Sequence, residues 1–136
     1  RCTSFIRSAS PPLDFATQAQ QETGTSNVVV VTPGRQHFHP TATKFWAETD
    51  FAGVANVSYN VTSVTDTGTG QVTITIATDM SSVNYVVVGN VAAGDCLAVQ
   101  VPAASKSGAS VRLDVYNRSG VLSDGSVLNV AGFGDL

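Results

Sequence analysis

Apolar and polar residues alternate over several short stretches of this chain. Val72, Ile74 and Ile76 alternate with threonines, and the stretch 56–62 repeats the pattern. Neighbouring side chains of a β-strand point to opposite faces, so each stretch is predicted to be a strand with one apolar and one solvated face. In the second stretch Val57, Tyr59 and Val61 form the apolar face, and Asn56, Ser58 and Asn60 form the solvated face.

The residues between such stretches are those that form turns. Two glycines in the segment 66–70 supply the positive φ that a short hairpin loop needs. Further strands are predicted at 85–91, 96–101, 111–116 and 127–133, with Gly, Asp, Asn or Ser in each gap. No gap is long enough for a helix, which excludes a βαβ topology. We therefore expect an all-β fold, a small antiparallel β-sandwich.

The first 43 residues follow a different pattern. The stretch 14–23 is predicted to be a helix that ends at Gly24, and at roughly ten residues it is too short to be stable alone. Its residues Ala16, Ala19 and Gln20 share a face that identical neighbours would cover. A short buried strand is predicted at 28–31 and an extended link at 37–40. The chain is thus divided into a stem with an extended linker, 1–43, and a β-sandwich domain, 44–136.

Composition narrows the class of protein. The chain has 136 residues, of which 43% are hydrophobic and 12% charged, and its net charge is −3. This length and apolar content indicate one globular domain with a real core. Lysine and arginine form no cluster, so a nucleic-acid partner is not expected. No apolar run approaches the roughly 20 residues of a membrane helix, so no membrane insertion is expected. So few charges suit a chain whose surface is partly covered by copies of itself.

Several motifs, taken in order, resemble the C-terminal region of bacteriophage and prophage tail-fibre proteins. The most specific is the hairpin stretch 58–70, which matches the pattern N-V-x-S-x-x-D-x-G-x-G of those proteins. Each piece is short, and it is their shared order and spacing, over most of the chain, that carry the resemblance. The other matching pieces lie at 16–19, 24–25, 31–33, 39–46, 84–89 and 130–134. Phe45 and residues 47–49 depart from the commoner pattern of the family.

This resemblance implies a parallel homotrimer with a terminal β-sandwich similar to the H-type lectin fold. Segment 1–43 would then be the trimerisation stem and 44–136 the fibre tip. The implied function is attachment of the virion to a bacterial surface polysaccharide or protein, by a fibre made in the host cytoplasm. Implied partners are the other copies of the chain and, on the N-terminal side, further tail or virion proteins. The alternative is a structural trimerisation, capping or connector module that binds no receptor.

The segment 111–118 carries the predicted ligand-binding residues. Alternation buries Val111, Leu113 and Val115 and leaves polar residues on the opposite face and in the next loop. These residues are Arg112, Asp114, Tyr116, Asn117 and Arg118. Their hydrogen-bonding groups and one flat aromatic ring are a combination that glycan recognition uses. A solvated strand face followed by an Asn-x-Ser-Gly turn has the same sequence, so both interpretations stay open. The loop 90–95 is the second candidate.

Two aromatic motifs have competing interpretations. On an extended strand the imidazoles of His37 and His39 would project together, and three such pairs in a parallel trimer would offer six nitrogens to a transition metal. The competing interpretation is a surface histidine before a His-Pro turn, and neither a metal nor another cofactor is the main expectation. Trp46, the single tryptophan, would either stack on a sugar or, the favoured interpretation, lie in the core or a subunit interface.

The sequence contains no motif of a known catalytic site. It has no nucleophile elbow, phosphate-binding loop or metalloprotease motif. Among its carboxylates, Glu48 and Asp50 form the one pair at strand spacing i, i+2. Cys2 and Cys96 form no metal-ligand or redox motif. We therefore expect no enzymatic activity.

Overall fold

The computed structural model describes residues 12–92 and 98–136. The chain divides into two compact units, Arg1–His39 and Pro40–Leu136. In the second unit, described strands form two four-stranded antiparallel sheets, which confirms the predicted small all-β sandwich.

The alternating stretches predicted as strands are strands of these sheets. The described strands are β1 Thr43–Thr49, β2 Ala55–Tyr59, β3 Val61–Gly68, β4 Gln71–Ile76, β5 Val86–Ala92, β6 Ala98–Gln100, β7 Ser110–Tyr116 and β8 Val127–Phe133. Sheet I has the strand order β2-β1-β8-β5, and sheet II has the order β3-β4-β7-β6. A single 3₁₀ turn, Ala103–Ser105, lies between β6 and β7.

The inner faces of the two sheets form one apolar core. Val111, Leu113 and Val115 of β7 are fully buried, as the alternation predicts, and so are Val72 and Ile74 of β4. Burying a side chain of this size stabilises the fold by about 1.5–3 kcal/mol. Sheet I contributes Phe45, Ala47, Leu128 and Val130 to the same core.

Asn60 carries the chain from sheet I to sheet II. Its φ of 53° is a left-handed conformation that asparagine adopts more readily than most residues. The Asn60 side-chain nitrogen donates to the carbonyls of Lys44 (3.0 Å) and Thr78 (3.2 Å), and its oxygen accepts from the Thr78 N–H at 2.7 Å. The single strand predicted over 56–62 is therefore wrong: β2 and β3 lie in different sheets, because the Asn60 side chain stabilises the corner between them.

The predicted hairpin at 66–70 is present and joins β3 to β4. Gly70 has a φ of 68°, and a Cβ there would come within 2.6 Å of Ser123 N and Val115 O. The Gly70 N–H donates to the Asp124 carboxylate, and its carbonyl accepts from the Val115 N–H at 2.7 Å. The turn is thus fixed to the end of β7 and requires glycine at this position.

The helix of the N-terminal unit is shorter than predicted. It spans α1 Gln18–Thr23, because Thr17 is its N-cap and forms a reciprocal capping box with Gln20. Gly24 ends it in the left-handed conformation, as predicted. Ala16 precedes the helix and is buried, whereas Ala19 and Gln20 are exposed, so the three do not share one helical face. A second short helix, α2 Pro33–Gln36, follows.

Residues 28–31 do not form the predicted buried strand. Val30 makes one parallel bridge to Phe15, and its N–H donates to the Asp14 carbonyl at 2.8 Å. Val28 is 82% exposed. Among the described residues of the unit, 12–39, this bridge is the one strand-like pairing of the run, so apolar character alone does not make it a strand.

Candidate functional site

The outer face of sheet II, here called the polar face, is formed almost wholly by polar side chains. Register pairs such as Thr73 with Thr65 and Thr73 with Arg112 place these side chains side by side. The face consists of Ser63, Thr65, Gln71, Thr73, Thr75, Ala98, Gln100, Ser110, Arg112, Asp114 and Tyr116. It is a flat surface of hydroxyl, amide and guanidinium groups.

Asp114 is the centre of a hydrogen-bonded cluster on this face. Its side chain is 5% exposed, and its Oδ1 accepts from Arg112 Nε at 2.9 Å and from Gln71 Nε2 at 3.3 Å. Its Oδ2 accepts from Arg112 Nη2 at 3.3 Å and from Tyr116 Oη at 3.5 Å. A nearly buried carboxylate is stable only with such partners, so Asp114 holds three outward-facing side chains in fixed positions.

The cluster can act as a preorganised donor surface. Asp114 accepts from two of the five N–H donors of the Arg112 guanidinium. The Arg112 side chain is 39% exposed, and its other donors bond to no further residue of the described ranges, so they can meet a ligand. Tyr116 adds a half-buried ring four residues along the same strand. Because Asp114 fixes these groups before binding, a ligand would not have to pay the entropy of ordering them. The arrangement suits a polar ligand with many hydroxyl groups.

The loop after β7 holds the other two predicted residues. The Asn117 side-chain oxygen accepts from the N–H groups of Ser119 (2.9 Å) and Val121 (3.0 Å), so it stabilises its own turn. Arg118 is exposed in that turn. The structure thus brings Arg112, Asp114 and Tyr116 together, adds Gln71 from β4, and gives Asn117 a turn-forming role.

The outer face of sheet I, here called the apolar face, consists mainly of apolar side chains, in contrast to the polar face of sheet II. Tyr59, Trp46, Ala131 and Val88 lie side by side in one row across the four strands. Further apolar residues, such as Val57 and Val86, lie in the neighbouring rows of the sheet. The face consists of Trp46, Glu48, Val57, Tyr59, Val86, Val88, Asn90, Ala92, Val127, Asn129, Ala131 and Phe133.

Large side chains of the apolar face are exposed. Trp46 is 40% exposed, which excludes the core position within this chain that was one half of its favoured interpretation. Tyr59 and Val57 are 48% and 53% exposed, although the alternation places both on the apolar side of their strand. The reason is that β2 turns this side away from sheet II. Phe45 and Phe51 are buried instead.

A shallow hollow of about 360 Å³ lies on the apolar face over β5 and β8. Its lining includes Val88 and the small Ala131, which is also the register partner of Trp46. Asn90 and Asn129, which form a register pair, line its other side. Asn90 therefore belongs to β5 and not to a loop, and residues 93–95 of that predicted loop lie outside the described residues.

The segment around His37 and His39 is not extended, so the basis of the predicted metal-binding pair is wrong. His37 has φ −72° and ψ −13° as the C-cap of α2, and the His39 N–H donates to the Gln36 carbonyl at 3.3 Å in a further turn. His37 contacts the Phe38 ring at 4.1 Å, and His39 lines a separate hollow of about 180 Å³ within the N-terminal unit. No group of three or more His, Cys, Asp or Glu that could hold a metal exists in the described part of one chain.

The carboxylate pair Glu48 and Asp50 also has structural roles. Glu48 accepts a hydrogen bond from Asn56 Nδ2 at 3.3 Å on the apolar face. Asp50 lies beyond the end of β1, where its Oδ1 accepts from the N–H groups of Ala52 and Val54, both at 2.9 Å. Cys2 and Cys96 lie outside the described residues.

The fold and its surfaces define this chain as a small all-β sandwich protein with one polar and one apolar outer face. Comparison with protein-family models, with curated proteins and with solved structures finds no match. Among the described residues, no helix is both long and apolar enough to cross a membrane.

Proposed function

We propose that this chain is the tip of a bacteriophage tail fibre that attaches the virion to a glycan on the bacterial surface. The sequence resemblance supports this function, and the cluster around Asp114 is the observation that carries it. A polar, preorganised and exposed cluster on a rigid sheet suits the binding of a carbohydrate, whose hydroxyl groups need fixed hydrogen-bonding partners.

The residues of the cluster take distinct roles in this proposal. Arg112 donates hydrogen bonds to sugar oxygens, and the ring of Tyr116 contacts the apolar side of a sugar. Asp114 and Gln71 position them. A single shallow site of this kind binds weakly, so useful affinity requires several sites on one particle, as in a homotrimeric fibre.

The direct test is binding of the full chain to an array of bacterial capsular and lipopolysaccharide glycans. We expect selective binding to at least one glycan. Arg112→Lys retains the charge but loses the planar fork, so we expect about a tenfold loss of binding or more. Arg35→Lys, in the N-terminal unit, is the matched control and should bind like the unchanged chain.

A structural connector without receptor binding is the second candidate function. The exposed aromatic and valine side chains of the apolar face favour it, since such a surface suits association with another protein. A folded chain that binds neither the glycan array nor intact bacterial cells would support the connector and contradict the attachment function. Binding that Arg112→Lys leaves unchanged would place the receptor site elsewhere.

A further inference from the structure

We propose that copies of this chain associate through the apolar face of sheet I, with Trp46 and Tyr59 at the centre of the contact. The inference rests on the self-association that belongs to the proposed function, and it names the surface. It does not depend on what the polar face binds.

The exposed apolar area of this face is the first argument. Trp46, Val57, Tyr59, Val86 and Val88 expose between 40% and 62% of their surfaces. On the scale of 150–250 Å² for a whole aromatic residue, the five together expose roughly 450 Å² of contiguous, largely apolar surface. The largest apolar patch on a soluble monomer is typically about 300–600 Å² and is often functional, so this face is the part of the described surface that best suits contact with another protein chain.

The size of the patch also matches what a stable contact between copies needs. A standard interface buries about 800 Å² on each partner, of which roughly 55–65% is apolar, or about 450–520 Å². The patch supplies this apolar part, and Asn90 and Asn129, which form a register pair beside it, supply polar groups to the contact. The outer face of one sheet is therefore large enough to form a stable contact with a neighbouring copy.

Charge is the second argument, because a second copy brings the same charges to the contact. Glu48 is the one charged residue on the apolar face as described, and Asn56 donates a hydrogen bond to it. Because each face carries so few charges, repulsion between the Glu48 carboxylates of neighbouring copies would oppose their association only weakly. The polar face, in contrast, carries the ion pair of Arg112 and Asp114 at 2.9 Å and a row of hydroxyl groups that water solvates well.

The shape of the face is the third argument. Trp46 is 40% exposed and pairs with Ala131, and the hollow of about 360 Å³ over Ala131 and Val88 is lined mainly by apolar atoms. A hollow near an exposed aromatic side chain suits a partner of the same shape, since each copy brings both features. A neighbouring copy would fill the hollow with a side chain and cover the Trp46 ring.

The test is the solution mass of the full chain, measured by light scattering over a range of concentrations. We expect assembly, and we expect Val88→Asp to weaken it about tenfold or more, because a carboxylate would then be buried without a partner. Thr65→Asp is the matched control: Thr65 is also β-branched, exposed and on an edge strand, but on the polar face. It should assemble like the unchanged chain.

Fluorescence of Trp46 gives a second readout that needs no variant. The chain has one tryptophan, so its emission reports this face alone. We expect emission to shift to the red, and quenching by iodide to increase, as dilution dissociates the assembly. Circular dichroism shows whether Val88→Asp folds. If it does not, Trp46 fluorescence of the unchanged chain still tests whether the apolar face is the interface.

Four results would overturn the proposed interface, and the first three concern the mass or the emission directly. These three are a monomer at all concentrations, equal assembly of Val88→Asp and the unchanged chain, and Trp46 emission that stays the same on dissociation. The fourth is equal loss of assembly in both variants. Each result concerns mass or fluorescence, whereas the attachment function fails by loss of glycan binding, so the two failures are distinguishable.

Discussion

The two outer faces of this sandwich share one kind of backbone and differ in their side chains. Both belong to four-stranded antiparallel sheets, and both sheets bury apolar residues on their inner faces. Outside, sheet II presents threonine, serine and an Arg–Asp pair, whereas sheet I presents tryptophan, tyrosine and valine. The core needs only the inner faces. The outer faces are therefore free to differ, and their difference is the basis of the two proposals made above: a polar ligand on sheet II and a neighbouring copy of the chain on sheet I.

The largest expected effect is the difference in lost stability between substituting a buried apolar residue and substituting an exposed one. Leu113→Ala should lower the free energy of unfolding by about 2–5 kcal/mol, because Leu113 is fully buried and its loss leaves a cavity. Val86→Ala should change it by less than about 0.5 kcal/mol in the monomer, because Val86 is 62% exposed. Chemical denaturation at a concentration low enough to keep the chain monomeric measures both.

Similar losses in both variants would contradict the comparison. They would mean that the apolar face is packed within the monomer and is not available to a second copy. At higher concentration, where copies associate, Val86→Ala should become more destabilising than it is in the monomer, since binding of a partner adds to apparent stability.

A smaller effect distinguishes the acidic residues of the two faces. Asp114→Ala should cost about 1–3 kcal/mol, because Gln71, Arg112 and Tyr116 then lose their common acceptor. Glu48→Ala should cost no more than about 0.5 kcal/mol, because Glu48 accepts a single long bond of 3.3 Å at a partly exposed position. Thermal unfolding of the two variants side by side is the measurement.

Equal and small losses for the two acidic variants would remove the argument that Asp114 organises the polar face. Asp114→Asn is a second variant that tests the same argument. It retains the shape and one acceptor oxygen, so it should recover part of the stability lost in Asp114→Ala.

Alternation along the sequence predicted which residues share a face but not which face is covered. For 72–76 and 111–115 the apolar side is also the inner side, so the predicted burial is confirmed. For Val57 and Tyr59 the same pattern leads to exposed residues, because Asn60 ends the strand and β2 turns its apolar side outward. Propensity and period describe one strand, whereas burial depends on its neighbours in the sheet.

The candidate site could also be predicted only as far as it lies on one strand. Arg112, Asp114 and Tyr116 could be placed together from the sequence because they are alternate residues of one strand. Gln71 could not, because its bond to Asp114 depends on the register of β4 against β7, 43 residues along the chain. The extended link expected at 37–40 is wrong for a local reason: the short helix α2 ends at Gln36 and turns continue from it.

The smallest effect concerns Tyr85, which connects the two sheets. It lies directly before β5, and its hydroxyl oxygen is 2.9 Å from the Ser107 carbonyl oxygen and 3.1 Å from that of Ser110, the first residue of β7. The two carbonyls share its one proton. Lys106 Nζ in turn donates to the Tyr85 carbonyl at 2.7 Å. Tyr85→Phe should lower the free energy of unfolding by about 1 kcal/mol, because the ring stays packed and only the hydroxyl is lost. Denaturant titration at neutral pH measures this loss.

The pH dependence of that loss provides the sharper test. Burial raises the pKa of the Tyr85 phenol, so the folded state keeps its proton above the pH of about 10 at which the unfolded phenol ionises. The contribution of Tyr85 is complete below pH 10 and falls as pH rises further, because the unfolded state then binds fewer protons than the folded one. Tyr85→Phe is the necessary control, because the difference between the two curves reports the Tyr85 phenol alone. The stability curves of the variant and the unchanged chain should converge above pH 10. Parallel curves would mean that the Tyr85 hydroxyl is already solvated in the folded chain, and that other contacts hold the two sheets, and hence their two outer faces, in place.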